Sequence, residues 1–288
     1  MKKNIGFCGM EKFDNRRKNS VGSSRIRVKW LLNYWPEAED YVMGGQYDTI
    51  VFQKVYWRNM LDEFKGNMIM DLCDPDWLEG KPVFEFIDKV DAVTTSTEPL
   101  AEYIRKMRPK KLVQCVPDRI YIPEHKPVKK VHKGRMQKVV WFGYGQNVQY
   151  ITRTFDELIQ KGLELIVISN EPYNPPLAYK NLQVTNVAYS YPGIHAELVK
   201  ADAVLMPDPI GDERGKYKSN NKTLQSWAVG MPVINLPDDM DRFMDAKERQ
   251  KESEKRLAEI KNKHDVQLSV KEMKAIIKEI EKRKLKNK

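Results

Sequence analysis

A lysine-rich loop followed by a helical pattern is the part of the sequence best suited to chemistry. It reads Lys216-Tyr-Lys218-Ser219-Asn220-Asn221-Lys222 and follows an apolar run at 201–207. A helix that starts near 219–221 would present unpaired backbone N–H groups and the positive end of its dipole. The lysines add mobile positive charge, so the loop predicts a phosphate or diphosphate site. The alternative is an exposed lysine cluster that caps an ordinary helix.

A glycine-containing turn follows another apolar run, at 138–142. It reads Gly143-Tyr144-Gly145-Gln-Asn147. Glycine has no side chain to keep a ligand away from the backbone, so such a turn suits close contact with phosphate groups. A Gly-x-Gly pair alone is weak support, and its position directly after a strand-like run strengthens it.

The order of these segments resembles the donor-sugar half of the GT-B glycosyltransferases. In that family a Ser/Asn-x-Lys-x-Leu-Glu helix, followed by Ala-x-Gly-x-Pro-Val-Ile, holds a nucleotide diphosphate; here the second motif is Ala228-Val-Gly-Met-Pro-Val-Ile234. The resemblance implies Lys222 as the catalytic cation. It also implies a nucleotide-diphosphate sugar as co-substrate, without a metal or other cofactor. The donor-binding residues that it implies are Gly143, Tyr144, Gly145, Asn147, Lys216, Lys218, Ser219, Asn220, Asn221 and Gln225.

One departure from the family pattern concerns the donor sugar. Retaining members often carry two glutamates eight positions apart, and here Tyr217 and Gln225 occupy those positions. The amide oxygen of Gln225 can still accept hydrogen bonds from ribose hydroxyls. Loss of the first carboxylate leaves the sugar and the retaining or inverting course open.

The first half of the sequence supplies the candidate acceptor side. Ser23 and Arg25 lie where the family places an acceptor-side loop, and Lys54 follows a strand-like run. The next run leads into three aspartates, and strand carboxyl ends line the crevice of open α/β sheets. We therefore predict Asp71 as the general base, with Asp74 and Asp76 beside the acceptor. Alternatively, Asp74 and Asp76 only shape the turn around the intervening proline.

Nine short apolar runs alternate with helical patterns along the chain. Such alternation predicts an α/β protein with two doubly wound, Rossmann-like domains and C-terminal helices. We predict an acceptor-side domain at 1–122, a linker at 123–136, a nucleotide-sugar-binding domain at 137–237 and amphipathic helices at 238–288. The predicted strands are 4–8, 49–53, 68–72, 92–95, 112–116, 138–142, 163–169, 203–206 and 232–235.

The composition is typical of a globular protein of the cytoplasm. The 288 residues are 41% hydrophobic and 31% charged. We find no apolar run near the roughly 20 residues that cross a bilayer, and no signal-peptide pattern. Three cysteines cannot all pair, which favours buried reduced thiols, and the four histidines lack metal-ligand spacing.

The net charge of +10 is distributed in blocks. Residues 1–35 hold nine basic and two acidic side chains, and 101–138 hold twelve and three, whereas 36–100 hold five and fourteen. Basic blocks suit a polyanion, so our first candidate acceptor is a hydroxymethylated pyrimidine in DNA, as in viral DNA-modifying glycosyltransferases. A cell-surface polysaccharide or lipid-linked glycan is the alternative acceptor. A non-catalytic protein that binds nucleotide sugars or nucleic acid is the alternative class, and the oligomeric state stays open.

Overall fold

The structure is a computed structural model that describes residues 4–10, 22–125, 129–191, 193–207 and 211–286. Residues 19–21, at the start of the predicted acceptor-side loop, lie outside these ranges. The strands in the described ranges are β1 (Ile5–Gly9), β2 (Ala38–Asp40), β3 (Thr49–Gln53), β4 (Asn67–Leu72), β5 (Ala92–Thr95), β6 (Leu112–Cys115), β7 (Lys138–Phe142), β8 (Glu164–Ser169), β9 (Val184–Ala188), β10 (Ala203–Leu205) and β11 (Val233–Ile234).

Helices occupy most of the connections between these strands. A π-helical stretch, Arg25–Lys29, separates α1 from α2, and 3-10 turns cover Asp76–Glu79, Gly145–Thr154, Leu177–Tyr179 and Gly215–Tyr217. The α-helices are α1 (Gly22–Ser24), α2 (Trp30–Leu32), α3 (Arg58–Glu63), α4 (Val83–Lys89), α5 (Glu98–Met107), α6 (Ile122–His125), α7 (Phe155–Lys161), α8 (Ile194–Leu198), α9 (Asn221–Ala228), α10 (Pro237–Arg242), α11 (Ala246–Lys263) and α12 (Val266–Lys286).

The chain forms two compact units, and each contains one parallel sheet. Unit 1 comprises 1–120, 213–220 and 265–288, and unit 2 comprises 121–212 and 221–264. The α/β class and the two Rossmann-like sheets are as predicted. The two long helices divide between the units, α11 with unit 2 and α12 with unit 1, which the sequence does not signal.

The sheet of unit 1 has the order β2-β1-β3-β4-β5-β6. Every pairing in it is parallel. The chain runs outward to β2 and then returns to the other side of β1, so the strand order reverses between β1 and β3. Buried aliphatic and aromatic side chains such as Ile50, Phe52, Met70 and Ile87 form its core. Ligand sites of open α/β sheets lie at the carboxyl ends of the strands beside such a reversal.

The sheet of unit 2 has the order β11-β10-β7-β8-β9, again with parallel pairings. The order reverses between β7 and β10. One face packs around Phe155, Leu165 and Phe243, and the other around Ile166 and Val229. Because apolar clusters cover both faces, β7, β8 and β10 are continuous buried runs, which is the pattern expected for parallel strands.

The structure adds two strands to the nine that the sequence predicts. Strand β2 has only three residues and β9 is largely exposed, so neither carries the continuous apolar signal of the central strands. The helical tail after residue 237 is as predicted. Within the described ranges, no helix is long and apolar enough to cross a membrane.

Candidate functional site

The glycine turn Gly143–Gly145 and Lys222 lie together at the carboxyl ends of the central strands of unit 2. A Cβ atom placed on Gly143 would stand 2.6 Å from Lys222 Nζ, so the lysine amine lies directly against the turn. The same amine is 5.5 Å from the ring centroid of Trp141 and 5.8 Å from that of Phe142. Aromatic faces attract cations, and this contact directs Lys222 towards the edge of the sheet where the strand order reverses.

Helix α9 begins at Asn221, within the range that the sequence predicts. Gln225 lies one turn further along, and its amide donates a hydrogen bond to Asn221 Oδ1. Both side chains are buried, with exposed fractions of 7% for Asn221 and 5% for Gln225. Within the described part of the chain, Asn221 Nδ2 has no hydrogen-bond partner. A buried amide donor without a partner is costly, and a ligand oxygen at the helix start would satisfy it.

Residues after β8 support the glycine turn from the neighbouring strand. Asn170 Oδ1 accepts a hydrogen bond of 2.9 Å from the Gly145 backbone N–H, and Asn170 Nδ2 donates to Glu171 at 3.0 Å. Tyr144 is 58% exposed, and its carbonyl accepts from the Asn147 N–H. Sequence reasoning missed Asn170 and Glu171, because their role depends on the pairing of β7 with β8.

Four predicted donor residues lie in unit 1 rather than beside Lys222 in unit 2. They belong to a segment that we call the anchored segment, Glu213–Asn220. Ser219 donates a hydrogen bond of 2.6 Å to the Asp118 carboxylate. Lys216 is exposed, with its amine 4.9 Å from the Tyr217 ring centroid, and Lys218 and Asn220 are also exposed.

The Asp71 carboxylate is buried and fully engaged in unit 1. Arg27 donates to both of its oxygens, from Nε at 3.0 Å and from Nη2, and Thr94 Oγ1 donates at 2.7 Å. The side chain of Asp71 is only 4% exposed. Burial opposes the charge of Arg27, but the carboxylates of Asp71 and Asp118 outweigh it and raise the pKa of Arg27. These contacts favour a positioning role for Asp71 over the predicted general-base role, because an acceptor proton would have to displace one of them.

Lys54, Asp74 and Asp76 form an ion cluster where β3 and β4 end. Lys54 Nζ is 2.6 Å from Asp74 Oδ2 and 3.1 Å from Asp76 Oδ1. Among the described non-glycine residues, Lys54 has the one positive φ, 54°, a conformation that persists where surrounding contacts hold it. Burial alone would raise the pKa of Asp74, but Lys54 outweighs it and lowers that pKa. The cluster brings together three of the predicted acceptor-side residues.

Ser23 and Arg25 lie on the helical stretch that follows the masked loop. The helix begins at Gly22, so Ser23 lies inside it, and its hydroxyl is 3.7 Å from Met10 Sδ. Arg25 is buried, and its guanidinium is 6.0 Å from the Trp30 ring centroid. The neighbouring Ser24 donates at 3.2 Å to Gln53 Oε1, a contact between α1 and β3 that sequence reasoning missed.

Metal-binding and thiol chemistry find little support in the described ranges. No group of three or more His, Cys, Asp or Glu side chains there could hold a metal ion. Cys8 and Cys73 are buried free cysteines and Cys115 is half-buried. Burial raises the pKa of Cys73 well above its ordinary value, which makes its thiolate a poor nucleophile at neutral pH.

Comparison with solved structures identifies the fold. TarM from S. aureus aligns with a TM-score of 0.59 and 11% identity over 80% of this chain and 54% of that chain, and another TarM structure contains UDP. The lipopolysaccharide outer core galactosyltransferase WaaB aligns with a TM-score of 0.57 and 13% identity over 95% of this chain and 98% of that one. The chain has the GT-B fold.

The GT-B fold is also found in longer proteins than this one. The accessory secretory protein structure from Streptococcus pneumoniae aligns with a TM-score of 0.50 and 12% identity over 94% of this chain. The chain spans 57% of that structure's chain and 54% of TarM, which is little more than half of each. No protein-family model and no curated protein sequence matches the chain.

Proposed function

We propose that the chain is a glycosyltransferase that moves a sugar from a nucleotide-diphosphate sugar to an acceptor hydroxyl. The observation that carries this proposal is the contact of the Lys222 amine with Gly143 at the strand-order reversal of unit 2. A cation held against a glycine turn and beside a helix start suits a diphosphate, because fixed positive charge and backbone N–H groups are available together.

The transfer reaction needs stabilisation of the leaving diphosphate as its negative charge develops. Lys222 supplies a positioned cation, and the first N–H groups of α9 supply aligned dipoles. The unpartnered Asn221 Nδ2 is placed to donate to a ligand oxygen near the same helix start. Gln225 presents an amide oxygen for ribose hydroxyls. Because a TarM structure contains UDP, uridine nucleotides are the first donors to test.

Activation of the acceptor hydroxyl falls to the carboxylates at the sheet edge of unit 1. The Asp74 side chain is 33% exposed, whereas those of Asp71 and Asp76 are 4% and 0% exposed. Only an accessible carboxylate can approach a substrate proton, so Asp74 is a better candidate base than Asp71. In this proposal Asp71 holds Arg27, and Lys54 holds Asp74 in its ionised form.

The acceptor is proposed at the level of its class, with DNA that contains hydroxymethylated pyrimidines as the first candidate. The basic block at 101–138 supports a polyanion less than its sequence suggests, because many of its cations form ion pairs inside their own unit. These pairs are Arg105–Glu98, Arg108–Asp88, Arg119–Glu272, Lys130–Asp202 and Lys138–Glu164. A cell-surface or lipid-linked glycan is the second candidate, since WaaB is a lipopolysaccharide galactosyltransferase.

Turnover of nucleotide sugars tests the proposal. The protein is incubated with a panel of UDP-, GDP- and ADP-sugars, alone and with hydroxymethylcytosine DNA or glycan acceptors, and products are followed by mass spectrometry. Lys222→Ala should lower transfer about 100- to 1000-fold, because it removes the cation aimed at the leaving group. Lys180→Ala, an exposed lysine of the same unit, is the control. Nucleotide binding without turnover on any acceptor would instead support the non-catalytic class.

A further inference from the structure

The anchored segment Glu213–Asn220 packs with unit 1, although the chain on both sides of it belongs to unit 2. Thr97 Oγ1 donates a hydrogen bond of 3.0 Å to the Tyr217 carbonyl. The Tyr217 ring is buried, with its centroid 5.4 Å from that of Trp77 and 6.0 Å from that of Tyr103. Backbone and side chain of the segment are therefore both held, and Lys222 follows it by two residues.

The strongest polar contact of the anchored segment is made by Ser219. Its hydroxyl donates to Asp118 Oδ2 at 2.6 Å, and the other oxygen of Asp118 accepts from Arg27 Nη1 at 3.1 Å. Arg27 continues the network to Asp71, which also accepts from Thr94. A continuous chain of hydrogen bonds thus connects the segment ahead of the donor helix to the centre of the unit 1 sheet.

Asp118 is well placed to act as a fixed acceptor. It is 6% exposed, and Arg27, which is 5% exposed, also donates at 2.5 Å to the Val116 carbonyl beside it. Hydrogen bonds to an ionised carboxylate are stronger than those between neutral groups, and burial reduces competition from water. Ser219 therefore has a rigid partner rather than a mobile surface side chain.

We infer that Asp118 is a positioning residue for the nucleotide-sugar donor, acting through Ser219. Ser219 lies two residues before the start of α9 and three before Lys222. Holding its side chain restricts the backbone that leads into the helix, so less conformational freedom is lost when a diphosphate binds there. This inference rests on the proposed function, and it gives Arg27 and Asp71 a role in holding Asp118.

Two measurements on a small set of variants test the inference. Calorimetry measures the Kd of UDP, GDP and ADP, and hydrogen exchange of the ligand-free protein measures protection of residues 214–224. The variants are Ser219→Ala, Asp118→Ala and their double mutant, with Ser219→Thr to restore a hydroxyl. Ser96→Ala is the matched control, because it removes another buried unit 1 hydroxyl, one that donates to the Cys73 carbonyl at 3.3 Å.

The inference predicts about tenfold weaker nucleotide binding and faster exchange in Ser219→Ala and Asp118→Ala, as expected for loss of a hydrogen bond to a charged group. The double mutant should bind no more weakly than Asp118→Ala, because both changes remove one contact. Ser219→Thr and Ser96→Ala should match the parent. If Asp118→Ala does not fold, the comparison of Ser219→Ala with Ser219→Thr decides alone.

Two outcomes separate this inference from the proposed function. If the parent binds nucleotide and Ser219→Ala binds as tightly as Ser96→Ala, the inference is overturned and the glycosyltransferase proposal stands. If the parent binds none of the nucleotides, the proposed function fails and the inference fails with it.

Discussion

Asp71 and Asp74 follow the same strand of unit 1, but their carboxylates have different surroundings. Asp71 is closed in by Arg27 and Thr94, whereas Asp74 is one-third exposed and paired with Lys54. A carboxylate in a buried ion pair contributes mainly to folding, and its loss leaves the partner charge without compensation. An exposed carboxylate at a sheet edge can lose its charge at little cost to the fold.

Asp71→Asn should therefore lower stability, whereas Asp74→Asn should mainly lower transfer. We expect Asp71→Asn to reduce the free energy of unfolding by about 1–3 kcal/mol, the usual cost of a hydrogen bond to a charged group. Urea unfolding, with donor turnover measured on the folded fraction, separates the two effects. An Asp71→Asn protein with the parent's unfolding midpoint and no turnover would restore Asp71 as the general base.

Gly143 offers a second change of a single residue. In Gly143→Ala the new methyl group would lie 2.6 Å from Lys222 Nζ and 2.9 Å from the Trp141 ring, so the lysine amine must move. We expect nucleotide affinity to fall roughly tenfold because a displaced cation aligns poorly with the diphosphate. Calorimetry on Gly143→Ala, Lys222→Ala and the double mutant tests this. If the two losses add fully in the double mutant, the methyl group acts independently of Lys222.

At the scale of elements, the described part of the 123–136 segment packs on unit 2 as a structured connection. Arg249 on α11 is fully buried and donates to the Phe243 and Gly134 carbonyls at 2.6 and 2.8 Å. His132 Nε2 lies 2.9 Å from the Gly230 carbonyl. A buried guanidinium that satisfies several carbonyls fixes the backbone where a Pro- and Lys-rich sequence predicts a linker.

Burial of His132 makes the stability of this packing depend on pH. Burial lowers the pKa of His132 below 6.5, and the charges of Arg249 and Lys130 add to this against the Gly230 contact and Asp202. A histidine with a lowered folded-state pKa stabilises the fold fully above its unfolded value, and this contribution is lost as the pH falls below about 6.5. Acidification should therefore loosen unit 2 around His132.

Hydrogen exchange of residues 129–136 and 226–234 at pH 7.5 and 5.5 measures this effect, after correction for the intrinsic pH dependence of exchange. Protection should decrease at pH 5.5 in the parent and change much less in His132→Gln. The Gln amide can donate to Gly230 in place of the imidazole but does not titrate. An equal loss of protection in the two proteins would show that another group causes it.

The central strands were predictable and the edge strands were not. Runs such as 138–142 and 49–53 are apolar throughout because both faces of a parallel strand are covered. Strand β2 is Ala-Glu-Asp and β9 is Val-Thr-Asn-Val-Ala, and their pairing depends on a neighbour rather than on burial. The start of α9 was predictable because it depends on local sequence.

At the scale of the molecule, the unpredicted features depend on contacts between distant parts of the sequence. Ser219 and Asp118 are 101 positions apart, and no local pattern pairs them. The assignment of 213–220 to unit 1 depends on such contacts, and so does the packing of α12 in unit 1. The sequence therefore predicts the diphosphate loop from residue types, but not the residues that hold the loop.

Charge at this scale also differs from the sequence count. Arg105 pairs with Glu98, and Lys111 donates to the Val90 carbonyl at 2.6 Å, so reversing either would disturb folding. Lys106 and Lys110 are exposed in the same region. They are the better pair for a test of DNA as the acceptor, because their reversal changes charge without removing these structural contacts.

Lys106→Glu with Lys110→Glu should weaken DNA binding and make its salt dependence shallower by about two in log–log slope, if each lysine neutralises one phosphate. Nucleotide binding should not change. Lys180→Glu with Lys255→Glu carries the same charge change on exposed positions of unit 2 and is the control. Fluorescence anisotropy at several salt concentrations measures both. Equal weakening in the two double variants would indicate a general charge effect rather than a DNA site.

The most direct test of the donor-site assignment is calorimetric titration of the parent, Lys222→Ala and Lys180→Ala with UDP, GDP and ADP. The parent and Lys180→Ala should bind at least one nucleoside diphosphate with the same affinity, and Lys222→Ala should bind it at least tenfold more weakly, because a charge-assisted contact to the diphosphate is lost. Equal affinity of the parent and Lys222→Ala, or no binding by the folded parent, would contradict a diphosphate site at Gly143 and Lys222.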